Sequence, residues 1–146
     1  MISALFSRGA EGIPAPTSLN FATLQLPASP NTSLLTPSVA PGQGHLHRDP
    51  LPASPEAVMA ALDRVAASMP RCFPLVRFPV RNQTKWVVRS ALMNYPDIVV
   101  AEAAPVAGGT GLWLYSRSLI GWSDMGVNRA RVMAWLEALE AALRAG

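Results

Sequence analysis

From Tyr115 to Arg131 the chain gathers hydroxyls, an amide, an acid and three arginines around two glycines: Ser116, Arg117, Ser118, Gly121, Trp122, Ser123, Asp124, Gly126, Asn128, Arg129 and Arg131. Such polar density ahead of an apolar, helix-patterned segment supports three kinds of chemistry. The first is structural: Ser123 or Asp124 caps the last helix, Gly121 and Gly126 permit a tight turn, and Arg117 or Arg129 pairs with Asp124. In the second, the helix N-terminus joins Arg117 and Arg129 in recognising an anionic group such as a carboxylate. The third is a small hydrolase or transferase built on Ser118, Ser123 and Asp124. A serine nucleophile needs a base within hydrogen-bond reach, and neither histidine is close in sequence.

The remaining candidates are sparse. His45 and His47 sit two apart with Asp49 nearby, but a third and a fourth metal ligand are missing from the neighbourhood, so no metal site is expected there. The single cysteine, Cys72, excludes a disulfide framework or a paired-thiolate zinc site, and reads as a packing residue. No phosphate-binding loop, nucleophile elbow or His-Glu helical motif occurs, and Gly108-Gly109-Thr110-Gly111 reads as a hairpin turn. No cofactor is expected.

The elements that must position the polar segment follow from periodicity. Ser54-Pro55-Glu56 reads as N-cap, first helical position and an acid in the first turn. Val58, Leu62, Val65 and Met69 then recur at helical spacing until Pro70, which predicts a helix over about 55–69. Segments Phe73–Val80, Thr84–Met93, Ile98–Val106 and Gly111–Ser118 are rich in β-branched and aromatic residues and separated by turn residues, which predicts four strands in an antiparallel meander. Trp86 and Trp113 fall in these segments and read as core. Val127–Arg144 carries Val132, Leu136, Leu139 and Leu143 on one stripe, a second helix. The expected class is α+β, a four-stranded meander with two helices on one face.

Residues 1–53 are different. Nine of the fourteen prolines lie within residues 1–55, and the first fifty residues hold only four charged groups, so an extended Pro-rich arm is expected ahead of a 54–146 domain. The arm carries Phe21, Leu24, Leu26, Leu34 and Leu35, too many large apolar groups for a free tail, so part of it is expected to lie against the domain or a partner, with these residues as the candidate partner-binding set.

Composition narrows the class. With 146 residues the chain is about one domain; half of it is apolar and 14% is charged, which excludes a disordered or fibrous protein and suggests that part of the surface meets a partner. The formal charge of +3 comes from eleven arginines and Lys85, scattered rather than clustered, so no nucleic-acid footprint is expected. No stretch is long and apolar enough for a membrane helix, and the first residues lack a signal pattern. The expected location is cytoplasmic, with at most peripheral association at the inner membrane through a partner.

Ser116 to Val132, running Ser-Arg-Ser-Leu-Ile-Gly-Trp-Ser-Asp-Met-Gly-Val-Asn-Arg-Ala-Arg-Val, resembles the signature of the uncharacterised "domain of unknown function 1499" family of bacteria and chloroplasts. The likeness extends through Arg89-Ser90-Ala91-Leu92 and Tyr95-Pro96-Asp97 to Ser29-Pro30-Asn31, about residues 24–143 in all. Thr32 stands where the family often has cysteine and Leu119 where it often has a basic residue, so roles tied to that cysteine do not carry over. Within the family, a short form with Trp122 and a Pro-rich arm looks like the small accessory protein of the alphaproteobacterial oxygen-dependent cyclase acting on Mg-protoporphyrin monomethyl ester. That resemblance implies a non-enzymatic subunit in bacteriochlorophyll synthesis, with the di-iron chemistry in the partner cyclase. An accessory subunit, an anionic-ligand binding module and a small serine hydrolase therefore stand as the readings to separate.

Overall fold

The computed structural model describes residues 6–14, 17–121 and 124–146. In chain order they form β1 (Thr32–Pro37), β2 (Leu46–Arg48), α1 (Pro55–Ser68), β3 (Cys72–Phe78), β4 (Gln83–Arg89), β5 (Pro96–Val106), β6 (Gly109–Ser118) and α2 (Val127–Ala145). The strands make one sheet in the order β2-β1-β6-β5-β4-β3.

The α+β class and the two helices agree with the sequence pattern, and β3 to β6 are the expected antiparallel meander. The sheet has six strands rather than four. Both additions come from the segment read as an arm: β1 pairs antiparallel with β6, and β2 pairs parallel with β1. Prolines hid β1, but Pro30 precedes it and Pro37 closes it, so no interior ladder bond loses its donor. β4 stops at Arg89 instead of Met93, because Ser90 to Asn94 turn back and Asn94 takes a left-handed conformation, φ 55°.

α1 starts as its sequence predicts, with the Ala57 amide donating to Ser54 Oγ at 3.1 Å. Both helices lie on one sheet face, where Leu35, Trp86, Val99, Ala101, Leu112 and Leu114 meet Val58, Leu62, Val132 and Leu139. Trp86 packs edge-to-face on Trp135 with ring centroids 5.3 Å apart.

Strand alternation sends Leu34, Val87, Ile98, Val100 and Tyr115 to the opposite face, and residues of the N-terminal arm cover them. Ile13 is buried there, and Leu19, Phe21, Leu24 and Leu26 pack against the same cluster. β4 side chains tie the arm down by its backbone. The Gln83 amide accepts from Leu19 N and donates to Leu19 O, both at 2.8 Å. Lys85 Nζ donates to Thr17 O at 2.9 Å, and Arg89 Nε to Gly9 O at 3.0 Å. Of the two places expected for this segment, the structure shows it against the domain, and the assignment of Phe21, Leu24, Leu26, Leu34 and Leu35 to a partner gives way to packing within this chain. A sheet with helices on one face only would leave its second apolar face wet, and this segment covers it.

Candidate functional site

β6 ends and α2 begins at the same corner of the sheet, where the Ser-Arg-Ser to Asn-Arg segment folds back on itself. Asn128, in the first turn of α2, is fully buried and forms its hub. Its Oδ1 accepts from Ser116 Oγ at 2.5 Å and from Arg131 Nη1 at 2.9 Å. Its Nδ2 lies 2.9 Å from Asn31 O, 2.8 Å from Ser118 Oγ and 2.7 Å from Asp124 Oδ2, three acceptors for two protons. Asn31 Nδ2 in turn donates to Gly121 O at 2.8 Å, which fixes the loop after β6.

Asp124 works as the helix cap, as one sequence reading proposed, but from two residues outside the helix. The residue at the cap position is Gly126, φ 86°, which supplies no side chain and takes a left-handed turn that glycine tolerates. The Asp124 carboxylate instead accepts from Gly126 N at 2.8 Å and Asn128 N at 2.9 Å. Desolvation lifts this carboxyl, but the Asn128 amide and side chain and the Gly126 amide together outweigh it and hold the group below its ordinary range.

Asp97, at the start of β5, joins the cluster through Arg131, whose Nη1 sits 2.8 Å from Asp97 Oδ2 and 3.1 Å from Ser116 Oγ. Burial pushes the Asp97 carboxyl above its ordinary range, against the pull of the Arg131 charge and of hydrogen bonds from Arg131 and Ser118. Across the β1–β6 ladder Ser33 faces Ser116, and Ser33 Oγ is a buried hydroxyl with no partner among the described residues.

Of the residues singled out from sequence, Ser116, Ser118, Gly121, Asp124, Gly126 and Asn128 come together. Arg117 and Arg129 are exposed and do not pair with Asp124, so that expectation is corrected. Arg117 belongs to the arm-covered sheet face, one pleat away from Ser116 and Ser118. Trp122 and Ser123 lie outside the described residues. Reading the sequence named Arg131 in the polar segment and Asn31 and Asp97 in the family likeness, but gave none of the three a role in the site. The role of Arg131 was findable, since three residues from Asn128 along a helix is one face.

The proposed anion seat at the α2 N-terminus is taken by Asp124 itself, which fills the amides that a carboxylate would use. Ser116 Oγ contacts Asn128 and Arg131, neither of which accepts a proton, whereas Ser118 bonds Asn128 and the Asp97 carboxyl, itself tied to Arg131. His45 Nδ1 and His47 Nδ1 are engaged with Leu34 N and Thr36 Oγ1, each at 3.0 Å, along β1 away from the Thr32 end that pairs with β6 at Arg117. Cys72 is half-buried, and desolvation pushes its thiol up to about 11 despite the nearby charge of Arg131. Among the described residues no three His, Cys, Asp or Glu side chains gather closely enough to hold a metal ion.

The family model described as "Protein of unknown function (DUF1499)" matches residues 23–139. The chain belongs to the DUF1499 family. The match takes in the whole Asn31-Asp97-Asp124-Asn128-Arg131 network, so the corner of the sheet lies within the DUF1499 domain. No curated protein matches the sequence. Among solved structures, protein MLL2253 from Mesorhizobium loti superposes with a TM-score of 0.53 at 14% identity, over 77% of this chain and 96% of that one. Protein CV1439 from Chromobacterium violaceum gives a TM-score of 0.49 at 18% identity, over 77% and 95%. At such identity the likeness to MLL2253 speaks for the fold alone.

Proposed function

We propose that this DUF1499 chain is a non-catalytic accessory subunit that docks on a partner enzyme through the corner of the sheet above the Asn128 network. The observation that carries the reading is the exposure of large apolar side chains on two turns at one end of the sheet. Leu92 is 91% exposed in the turn between β4 and β5, and Met125 is 95% exposed in the turn before α2. Met93 and Tyr95 add further exposed apolar surface beside Leu92, and Val127 does so at the start of α2. The Leu119 amide donates to Pro96 O, so both turns leave the sheet at one end. The polar groups beneath are bonded to one another, which suits a frame that holds a surface better than a reaction centre. Large apolar groups exposed on turns that leave the sheet at one end suit an interaction site.

The resemblance of the short, Trp122-bearing form to the cyclase accessory protein makes the oxygen-dependent Mg-protoporphyrin monomethyl ester cyclase the partner to test. The di-iron chemistry then lies in that enzyme, and this chain stabilises it. Among the described residues no helix is long and apolar enough to cross a membrane, so membrane association under this reading comes through the partner. The test is co-purification of tagged chain from its native host. Wild type is expected to recover the cyclase, and Leu92→Asp with Met125→Asp to lose it while melting at an unchanged temperature. Undiminished recovery by the double variant rejects the docking surface; turnover of a porphyrin ester by the purified chain alone rejects the non-catalytic reading.

A further inference from the structure

On the arm-covered face, two rows of the sheet run across β4, β5 and β6: Lys85-Val100-Tyr115 and, beside it, Val87-Ile98-Arg117. Between this face and the arm lies a cavity of about 180 Å³, floored by Ile98 and Val100, roofed by Leu19 and Leu24, and bordered by Lys85, Tyr115 and Arg117. Both cations belong to a wall that is otherwise largely apolar, and among the described residues neither is paired with a carboxylate. Lys85 donates to Thr17 O, which leaves two of its three ammonium protons uncommitted by that bond.

We propose that this cavity binds a small organic acid with a compact apolar body, its carboxylate held between Lys85 and Arg117. A cavity of about 150 Å³ with an apolar lining takes up benzene, so the volume here suits one ring or a short alkyl chain and is too small for a macrocycle. A carboxylate entering from the Arg117 side meets two cations whose mutual repulsion it relieves; desolvation and the Arg117 charge both lower the Lys85 pKa in its absence. Desolvation raises the Tyr115 phenol, which keeps it a neutral donor on the same wall.

The experiment titrates the full chain with hexanoate and with 3-phenylpropionate by calorimetry, beside the neutral alcohols 1-hexanol and 3-phenylpropanol. At least one acid is expected to bind saturably at one site, its alcohol about tenfold more weakly, as the loss of one charge-assisted hydrogen bond predicts. Arg117→Gln and Lys85→Gln should each weaken the acid by a similar factor, with thermal melts showing that both fold. Arg129→Gln, outside the cavity lining, should leave binding unchanged. Absence of saturable binding by either acid at millimolar concentration overturns the proposal, as does equal affinity in wild type and Arg117→Gln. The readout is ligand binding by the isolated chain, so its failure is distinct from failure of the docking surface.

Discussion

Asn128 on α2 donates its side-chain amide to the backbone carbonyl of Asn31, 97 residues earlier, at 2.9 Å. That bond closes a ring in which β1, β6 and α2 share one buried amide. Asn128→Ala takes partners from Ser116, Arg131 and the Asn31 carbonyl together and leaves a cavity where a buried amide stood. Because each stranded buried polar group costs about 1–3 kcal/mol and the groups are coupled, the loss should be about 3 kcal/mol. Urea denaturation at neutral pH measures it.

The two carboxylates of the cluster should answer pH with opposite sign. Asp124 titrates below its ordinary value when folded, so its stabilisation is present above about pH 4 and fades as the pH falls through the folded pKa. Asp124→Asn should therefore cost about 1 kcal/mol at pH 7, a typical cap value, and less as the pH approaches 3. Asp97 titrates above its ordinary value when folded, so its ionisation costs stability as the pH rises from about 4 through the folded pKa. The deficit of Asp97→Asn against wild type should accordingly shrink over that rise. Unfolding curves at several pH values separate the two slopes.

Much of this fold was legible because local signals and burial agree. Ser54-Pro55-Glu56 starts α1, and Pro70 follows its end. The turn residues Asn82, Asn94 and Gly108-Gly109 mark the reversals of the meander, and Asn82, Asn94 and both glycines take positive φ. β1 was not legible, since six residues ending in proline have too little pattern to read as a strand, and their place beside β6 depends on contacts about 80 residues away in sequence. The polar corner was legible as a segment and not as a network. Asp124, Asn128 and Ser118 are close in sequence, whereas Asn31 and Asp97 reach them only once the sheet is assembled. The arm's place stayed open for a physical reason: a Pro-rich apolar segment looks the same whether it covers a partner or its own sheet.

Gln83 tests the arm's true role. Its side-chain amide is fully buried and closes two 2.8 Å bonds on the Leu19 backbone, as a neighbouring strand would. Gln83→Ala should cost about 2–3 kcal/mol for the unpaired backbone groups. Hydrogen exchange should show arm amides around Leu19 losing protection first, with α2 amides unchanged. Removing residues 1–30 goes further, baring Val87, Ile98, Val100 and Tyr115. Each such residue gives up about 1.5–3 kcal/mol of burial against the 5–15 kcal/mol of a typical domain, so the truncated chain should aggregate or unfold at ordinary temperature.

Ser33 and Ser116 face each other across the β1–β6 ladder, both buried, and differ in what their hydroxyls meet. Ser116 Oγ donates to Asn128 and accepts from Arg131, whereas Ser33 Oγ has no partner among the described residues. A hydroxyl taken from water without a replacement bond is a net cost, and alanine removes it with almost no change in volume. Ser33→Ala should therefore stabilise the fold by about 1 kcal/mol, while Ser116→Ala should destabilise it by about 1–2 kcal/mol through the bonds lost to Asn128 Oδ1 and Arg131 Nη1. Chemical denaturation of the two single variants decides this. Equal and unfavourable effects from both would mean that Ser33 also holds the corner together, and the network would then extend one strand further than Ser116.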